Sequence, residues 1–145
     1  MDAQDMGNAL ERILVTEDEL ARRMAELAAE IDADYQGKEI LLVGVLKGAV
    51  MVVADLSRHL HTPLSMDWMA VSSYGAGTKS TGVVRILKDL DADVTGRDVL
   101  IVEDIIDSGL TLSWLRENLL ARGAASVEIA TALRKPEALK VQVEV

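Results

Sequence analysis

No cysteine and no phenylalanine occur in the 145 residues, and histidine, proline, tryptophan and tyrosine appear twice each. Without cysteine there is no disulfide and no thiolate metal site, and two histidines, His59 and His61, are too few soft ligands for structural zinc. Any metal is left to oxygen donors, which points to magnesium or manganese. Aromatics total 3%, so the stacking platforms that hold single-stranded nucleic acid are scarce. Positive charge is short as well: 15 Lys and Arg stand against 24 Asp and Glu, a net charge of −9. A field of that sign repels nucleic acid and anionic membranes at long range, so neither is an expected partner. There is no uncharged apolar run of roughly eighteen residues, and MDAQDMGNALER has no basic stretch leading into an apolar one. The expected setting is the cytoplasm. A Walker loop is excluded because GxxxxGK[ST] is absent.

Hydrophobic residues make up 50% of the chain, ample for one core, and no repeat or Pro/Ser-rich linker divides it. A single domain over 1–145 is expected. From Thr16, apolar residues at Leu20, Met24, Leu27, Ala28 and Ile31 follow the helical period, and Thr16 with Glu19 forms a capping box. After Gly37, Ile40 to Val45 reads as a buried strand broken by glycine, and Ala49 to Leu60 as an apolar-rich helix. LSMDWMAVSS (64–73) alternates like a strand, and YGAGTKSTG after it reads as a mobile loop. Further strands are expected at Val83 to Leu87, 99–103 and Ser126 to Leu133, with another beginning at Val141 to Val145. Asp89 to Gly96 reads as an acidic turn, and a helix runs from about Leu110 to Arg122, with Gly123 as its C-cap. Strands alternating with helices imply an α/β fold, a mostly parallel twisted sheet with helices on both faces. Ligands then bind outside the carboxyl ends of the strands.

Residues 99–111, VLIVEDIIDSGLT, pose a contradiction. Ser108, Gly109 and Thr111 open a helix, a turn that builds an anion site from backbone N–H groups. Yet Glu103, Asp104 and Asp107 stand beside it. A ligand that is both anion and polyol resolves this: a sugar phosphate offers its phosphate to the amides and its hydroxyl donors to carboxylates, which only accept. On these residues alone, a solvated acidic turn remains a competing reading.

The stretch resembles the phosphoribosyl pyrophosphate (PRPP) signature of type I phosphoribosyltransferases. LLVGVLKGAVMVVADL resembles the pyrophosphate loop of the hypoxanthine/guanine branch, SSYGAGTKSTG its flexible catalytic loop, and LRKPEA its purine-reading lysine. The resemblance runs from about Leu14 to the last residue and implies the Rossmann-like fold of that family. It implies that Glu103 and Asp104 bind the ribose hydroxyls, directly or through Mg2+, and that Asp107 lies near the purine N7 and helps move its proton. Ser108, Gly109, Leu110 and Thr111 would hold the 5′-phosphate. Leu46, Lys47 and Gly48 would touch pyrophosphate through a non-proline cis peptide. Ser73 and Tyr74 would close over the sugar, and Lys135 would donate to the 6-oxo group. Ser108 stands where the family more often has Thr. The implied reaction moves 5-phosphoribosyl from PRPP to hypoxanthine or guanine, giving IMP or GMP and pyrophosphate. A homodimer or homotetramer is implied with it.

The family continues for a few tens of residues past the position matching Val145, supplying an aromatic stacked on the purine and part of a hood. An incomplete hood is therefore expected, with truncation favoured over a base held by other groups. Two other readings stay open: a xanthine-preferring relative, and a non-catalytic PRPP-sensing regulator of the same fold. Elsewhere, His59 and His61 read as solvated residues at a helix end, Trp68 and Trp114 as core or subunit packing, and Met51 and Met66 as core or dimer surface.

Overall fold

The computed structural model of the chain describes residues 2–74 and 83–135, with the backbone alone at Ser73, Tyr74 and Val83. The expectations of a mobile loop at 75–82 and of a strand at Val141–Val145 lie outside the described residues, as does the hood segment. A 3-10 helix over Ala3–Ala9, which the sequence pattern did not suggest, precedes α1 (Glu17–Asp34). The start of α1 follows from the expected capping box. The Thr16 hydroxyl accepts the Glu19 N–H at 3.2 Å, and the Glu19 carboxylate accepts the Thr16 N–H at 3.1 Å.

Next come β1 (Ile40–Leu46), α2 (Val50–His59), β2 (Leu64–Tyr74), β3 (Val83–Lys88), β4 (Asp98–Ile106), α3 (Leu110–Ala121) and β5 (Ser126–Arg134). The five strands form one sheet in the order β3-β2-β1-β4-β5. β1 pairs in parallel with β2 and β4, and β4 with β5, while β3 runs antiparallel to β2 at the edge. The carboxyl ends of β1, β2, β4 and β5 therefore share one rim, where an open α/β sheet binds ligands.

Both faces of the sheet are covered, as the apolar runs require. Leu41, Val43, Val99, Ile101 and Ile129 share one buried cluster with Leu112, Leu115 and Leu119 of α3. Ile40, Leu42, Leu100 and Val102 share the other with Met24, Ala28 and Ile31 of α1 and Val53 and Leu56 of α2. Each such Val, Leu, Ile or Met side chain, fully buried, stabilises the fold by about 1.5–3 kcal/mol. Gly44 does not break β1. It pairs with Trp68, and a Cβ there would overlap the indole, with Trp68 Cε3 within 2.6 Å, so the glycine makes room for the ring. Met51 and Met66 are not core: they are 73% and 46% exposed. His59 and His61 are exposed at the end of α2, as expected.

One buried carboxylate escaped the sequence reading. Asp67, on β2, is 6% exposed and accepts the N–H groups of Trp68 (2.8 Å), Asp91 (3.0 Å) and Ala92 (2.8 Å). It ties the acidic turn after β3 to the middle of β2. Asp67→Ala would strand these donors and is expected to cost about 2–4 kcal/mol in urea unfolding, with Asp67→Asn losing less. A loss below about 0.5 kcal/mol would show that the turn stands without it.

Candidate active site

The site begins where β4 ends. The pattern of 99–103 suggested a strand stopping at Glu103, but β4 continues to Ile106 because it stays paired with β5 through Glu103↔Thr131, Ile105↔Leu133 and Ile106↔Arg134. Glu103 and Asp104 are thus inside the strand rather than after it, and successive side chains of a strand leave on opposite faces. Glu103 and Ile105 enter a cavity of about 250 Å³ on the α3 side. Asp104 does not wall that cavity. It stands over Gly48 in the turn between β1 and α2, so close that a Cβ on Gly48 would lie within 2.8 Å of the Asp104 Cγ.

The same cavity is walled by Val45 and Leu46 at the end of β1, Val71 of β2, and Asp107, Ser108, Gly109, Thr111 and Leu112 where β4 turns into α3. Gly109 is the N-cap of α3, with φ 81°, a left-handed conformation that glycine adopts without strain. The Ser108 hydroxyl accepts the Leu110 N–H at 3.4 Å, bending the turn back on itself. The result sets the positive end of a helix dipole a few side chains from carboxylates.

Glu103 and Asp104 also act on one another. Burial pushes Glu103 up to about 8, and its side-chain hydrogen bond with Asp104 adds to the rise. Glu103 accepts the Asp104 N–H at 3.1 Å, and Asp104 accepts the Ile105 N–H at 2.8 Å, so both carboxylates are tied to the strand that carries them.

Of the residues expected at the site, the structure brings Leu46, Glu103, Asp107, Ser108, Gly109 and Thr111 to one cavity and sets Asp104 and Gly48 against each other beside it. The Leu46–Lys47 peptide is cis, and Lys47 is exposed in the turn after it. Leu110 is the first residue of α3 rather than a wall of the cavity. Lys135 is exposed at the rim, its N–H donating to the Ile106 carbonyl at 2.9 Å, which holds the end of β5 beside the end of β4. The backbones of Ser73 and Tyr74 end β2, paired with Val84 and Val83. Their side chains lie outside the described residues. The apolar walls Val45, Val71, Ile105 and Leu112 were missed. For Ile105 a signal existed, two positions after Glu103 and so on the same face of the strand. Larger cavities occur elsewhere in the fold. Volume alone does not mark this site; the carboxylates and the amide turn do.

Comparison with known proteins bears on this arrangement. The family model described as "Phosphoribosyl transferase domain" matches residues 13–144. The chain is 51% identical over 142 residues to the hypoxanthine-guanine phosphoribosyltransferase of Mycobacterium tuberculosis, spanning 94% of this chain and 70% of that protein. It is 50% identical over 139 residues to the protein of the same name from Bacillus subtilis, covering 96% of this chain and 77% of the relative. Among solved structures, a hypoxanthine phosphoribosyltransferase from Staphylococcus aureus superposes with a TM-score of 0.94 at 43% identity, covering 100% of this chain and 79% of that one.

Proposed function

Because this chain belongs to the phosphoribosyl transferase family, and within it to the hypoxanthine-guanine branch, we propose that it moves 5-phosphoribosyl from PRPP to hypoxanthine or guanine. The products are IMP or GMP and pyrophosphate. The coarser assignment, a phosphoribosyl-transferring enzyme of purine salvage, follows from the family itself. The observation that carries the finer one is the cavity that joins Glu103 and Asp107 to the amide turn of Ser108–Thr111, beside the end of β1. It suits a ligand with an anionic tail and hydroxyl groups, and PRPP has both.

In this reading the amides and hydroxyls of Ser108, Gly109, Leu110 and Thr111 hold the 5′-phosphate. Glu103 and Asp104 accept from the ribose hydroxyls, and the Leu46–Lys47–Gly48 turn takes pyrophosphate. The bond from C1 of the ribose to the pyrophosphate oxygen breaks as N9 of the base attacks C1, and the proton on N7 leaves toward Asp107. Lys135 donates to the 6-oxo group, and Ser73 and Tyr74 keep water from C1. No protein nucleophile is required; position and charge supply the rate.

The residues also fit magnesium. Among the described residues no group of three His, Cys, Asp or Glu could hold a metal ion. Magnesium does not need one, because one or two carboxylates suffice when water and substrate oxygens complete its shell. Glu103, in the cavity, and Asp104, beside it and within hydrogen-bond reach of the Glu103 side chain, would supply them, with Glu103 giving up its proton as the ion binds. Bound there, the ion would offset the charge of departing pyrophosphate.

We further propose a homodimer or homotetramer, for which exposed Val50, Met51 and Met66 offer apolar surface. Sedimentation velocity at micromolar concentration tests it, a monomer alone being the contrary result. A cytoplasmic setting is proposed too: no helix among the described residues is long and apolar enough to cross a membrane. The central test is calorimetric titration with PRPP and magnesium. Glu103→Ala and Asp104→Ala are each expected to weaken binding about tenfold or more. If folded protein ignores PRPP at about millimolar concentration, the assignment is wrong.

A further inference from the structure

The rim of the sheet has a second side, away from α3. Leu100 and Val102 of β4 pack in the cluster with α1 and α2, so Asp104, two positions on from Val102, leaves on that side too and stands over Gly48. On β2, Trp68 packs in the same cluster, whereas Met69 and Val71 pack against α3. Alternation then gives Ser72 to the α2 side. Arg85 of β3 pairs with Ser72 and shares its face. Its neighbour Ile86, paired with Val71, packs on the α3 side, so β3 read by itself also turns Arg85 toward α2.

Register sets how far along the rim Arg85 stands. Leu46, the last residue of β1, is level with Ala70, so Ser72 is level with the Lys47–Gly48 turn. β3 lies two strands from β1, roughly 10 Å, a gap that an arginine side chain and a pyrophosphate group span together. Although β3 is an edge strand, its position is held. Leu87 stands opposite no residue where the register shifts between Ala70 and Val71, a bulge of the kind that re-aims side chains beside sites. Asp67 grips the turn that follows.

Charge gives the position its meaning. In a chain of net charge −9, ion pairs among the described residues engage Arg22, Arg23, Arg58, Lys88, Arg97 and Arg122. Arg85 is exposed and forms none among those residues. Lys88, the other cation of β3, also donates to the carbonyls of Trp68 (3.1 Å) and Asp89 (2.9 Å). The turn that takes pyrophosphate in the proposed reaction has the Asp104 carboxylate on its β4 flank, which repels a polyanion, so the offsetting cation belongs on the flank toward β2 and β3. Taking the cavity as a PRPP site, we propose that Arg85 is a pyrophosphate-binding residue. Its guanidinium reaches past Ser72 and donates to the phosphoryl oxygens of the leaving group, on the side opposite Asp104. The planar fork suits a group that presents paired oxygens.

Calorimetric titration of the full chain with PRPP, inorganic pyrophosphate and ribose 5-phosphate in turn, with magnesium at a constant salt of about 0.15 M, tests this. Arg85→Gln should weaken PRPP and pyrophosphate about tenfold and ribose 5-phosphate by less than about twofold, because the last lacks the group that Arg85 holds. Arg85→Lys, which keeps the charge without the fork, should lose about threefold for PRPP. Arg85 is exposed, so both variants should fold, as circular dichroism would report. If the parent binds PRPP while Arg85→Gln holds PRPP and pyrophosphate within about twofold of it, the role of Arg85 is overturned and the PRPP site stands. Equal weakening of all three ligands also overturns that role, since it is a loss of general attraction for anions. A parent that ignores PRPP at about millimolar concentration overturns both.

Discussion

Asp107→Ala is expected to lower kcat by about a hundredfold to ten-thousandfold, the range of a positioned acid or base, while changing PRPP affinity by less than about threefold. Asp107 is exposed on the wall of the cavity that also holds Glu103, between the end of β4 and the left-handed Gly109 that opens α3. In the proposed reaction it meets the proton of the base and neither the pyrophosphate turn nor the ribose hydroxyls. Its loss should therefore fall on the chemical step rather than on sugar-phosphate binding. Asp107→Asn separates charge from shape: it keeps the side chain's size but cannot take a proton, so it should fall nearly as far as alanine. An asparagine variant with more than half the parent rate would remove Asp107 from proton transfer.

The second large effect is expected from a single methyl group. Gly48→Ala places a Cβ within 2.8 Å of the Asp104 Cγ and closer still to a carboxylate oxygen, so either the turn after β1 or the carboxylate must move. Both belong to the proposed PRPP site, and a displacement on the order of 1 Å in positioned groups costs about a hundredfold. The KM for PRPP should rise about tenfold to a hundredfold. That for the purine should change little, because Lys135 and Asp107 are untouched. Gly48 is exposed, so unfolding in urea should barely shift. If the clash is the cause, adding Gly48→Ala to Asp104→Ala should do little further harm, since the two changes act on one contact. An unchanged PRPP KM in Gly48→Ala would show that the turn tolerates the methyl group and that its contact with Asp104 is incidental.

Most elements could be read from the chain because their signals are local. Thr16 and Glu19 announce α1 within one turn, and Gly109 and Gly123 bracket α3. The errors arose where distant segments decide. The strand holding Glu103 looked finished at the first carboxylates, since charge normally ends a buried run, but pairing with β5 carries it to Ile106. Gly44 looked like a break until Trp68, across the register on β2, occupied the space above it. Met51 and Met66 read as core or dimer surface, and the choice between these needed the fold: the core faces of α2 and β2 present Val53, Leu56, Asp67 and Met69 instead. Asp67 was invisible because its partners at Asp91 and Ala92 are brought to it only by the antiparallel return of β3.

The sequence by itself determined the class of the fold, its mostly parallel alternation and the placing of carboxylates beside a small-residue helix start in VLIVEDIIDSGLT. Those depend on hydrophobic period, turn residues and donor types within a few positions of one another. Tertiary structure alone decided that Glu103 faces the cavity while Asp104 faces Gly48, and that the Asp67 carboxylate is buried against the turn after β3. Strand register and helix docking govern these, because a shift of one residue exchanges the two faces of a strand, and no local pattern records which register the assembled sheet adopts.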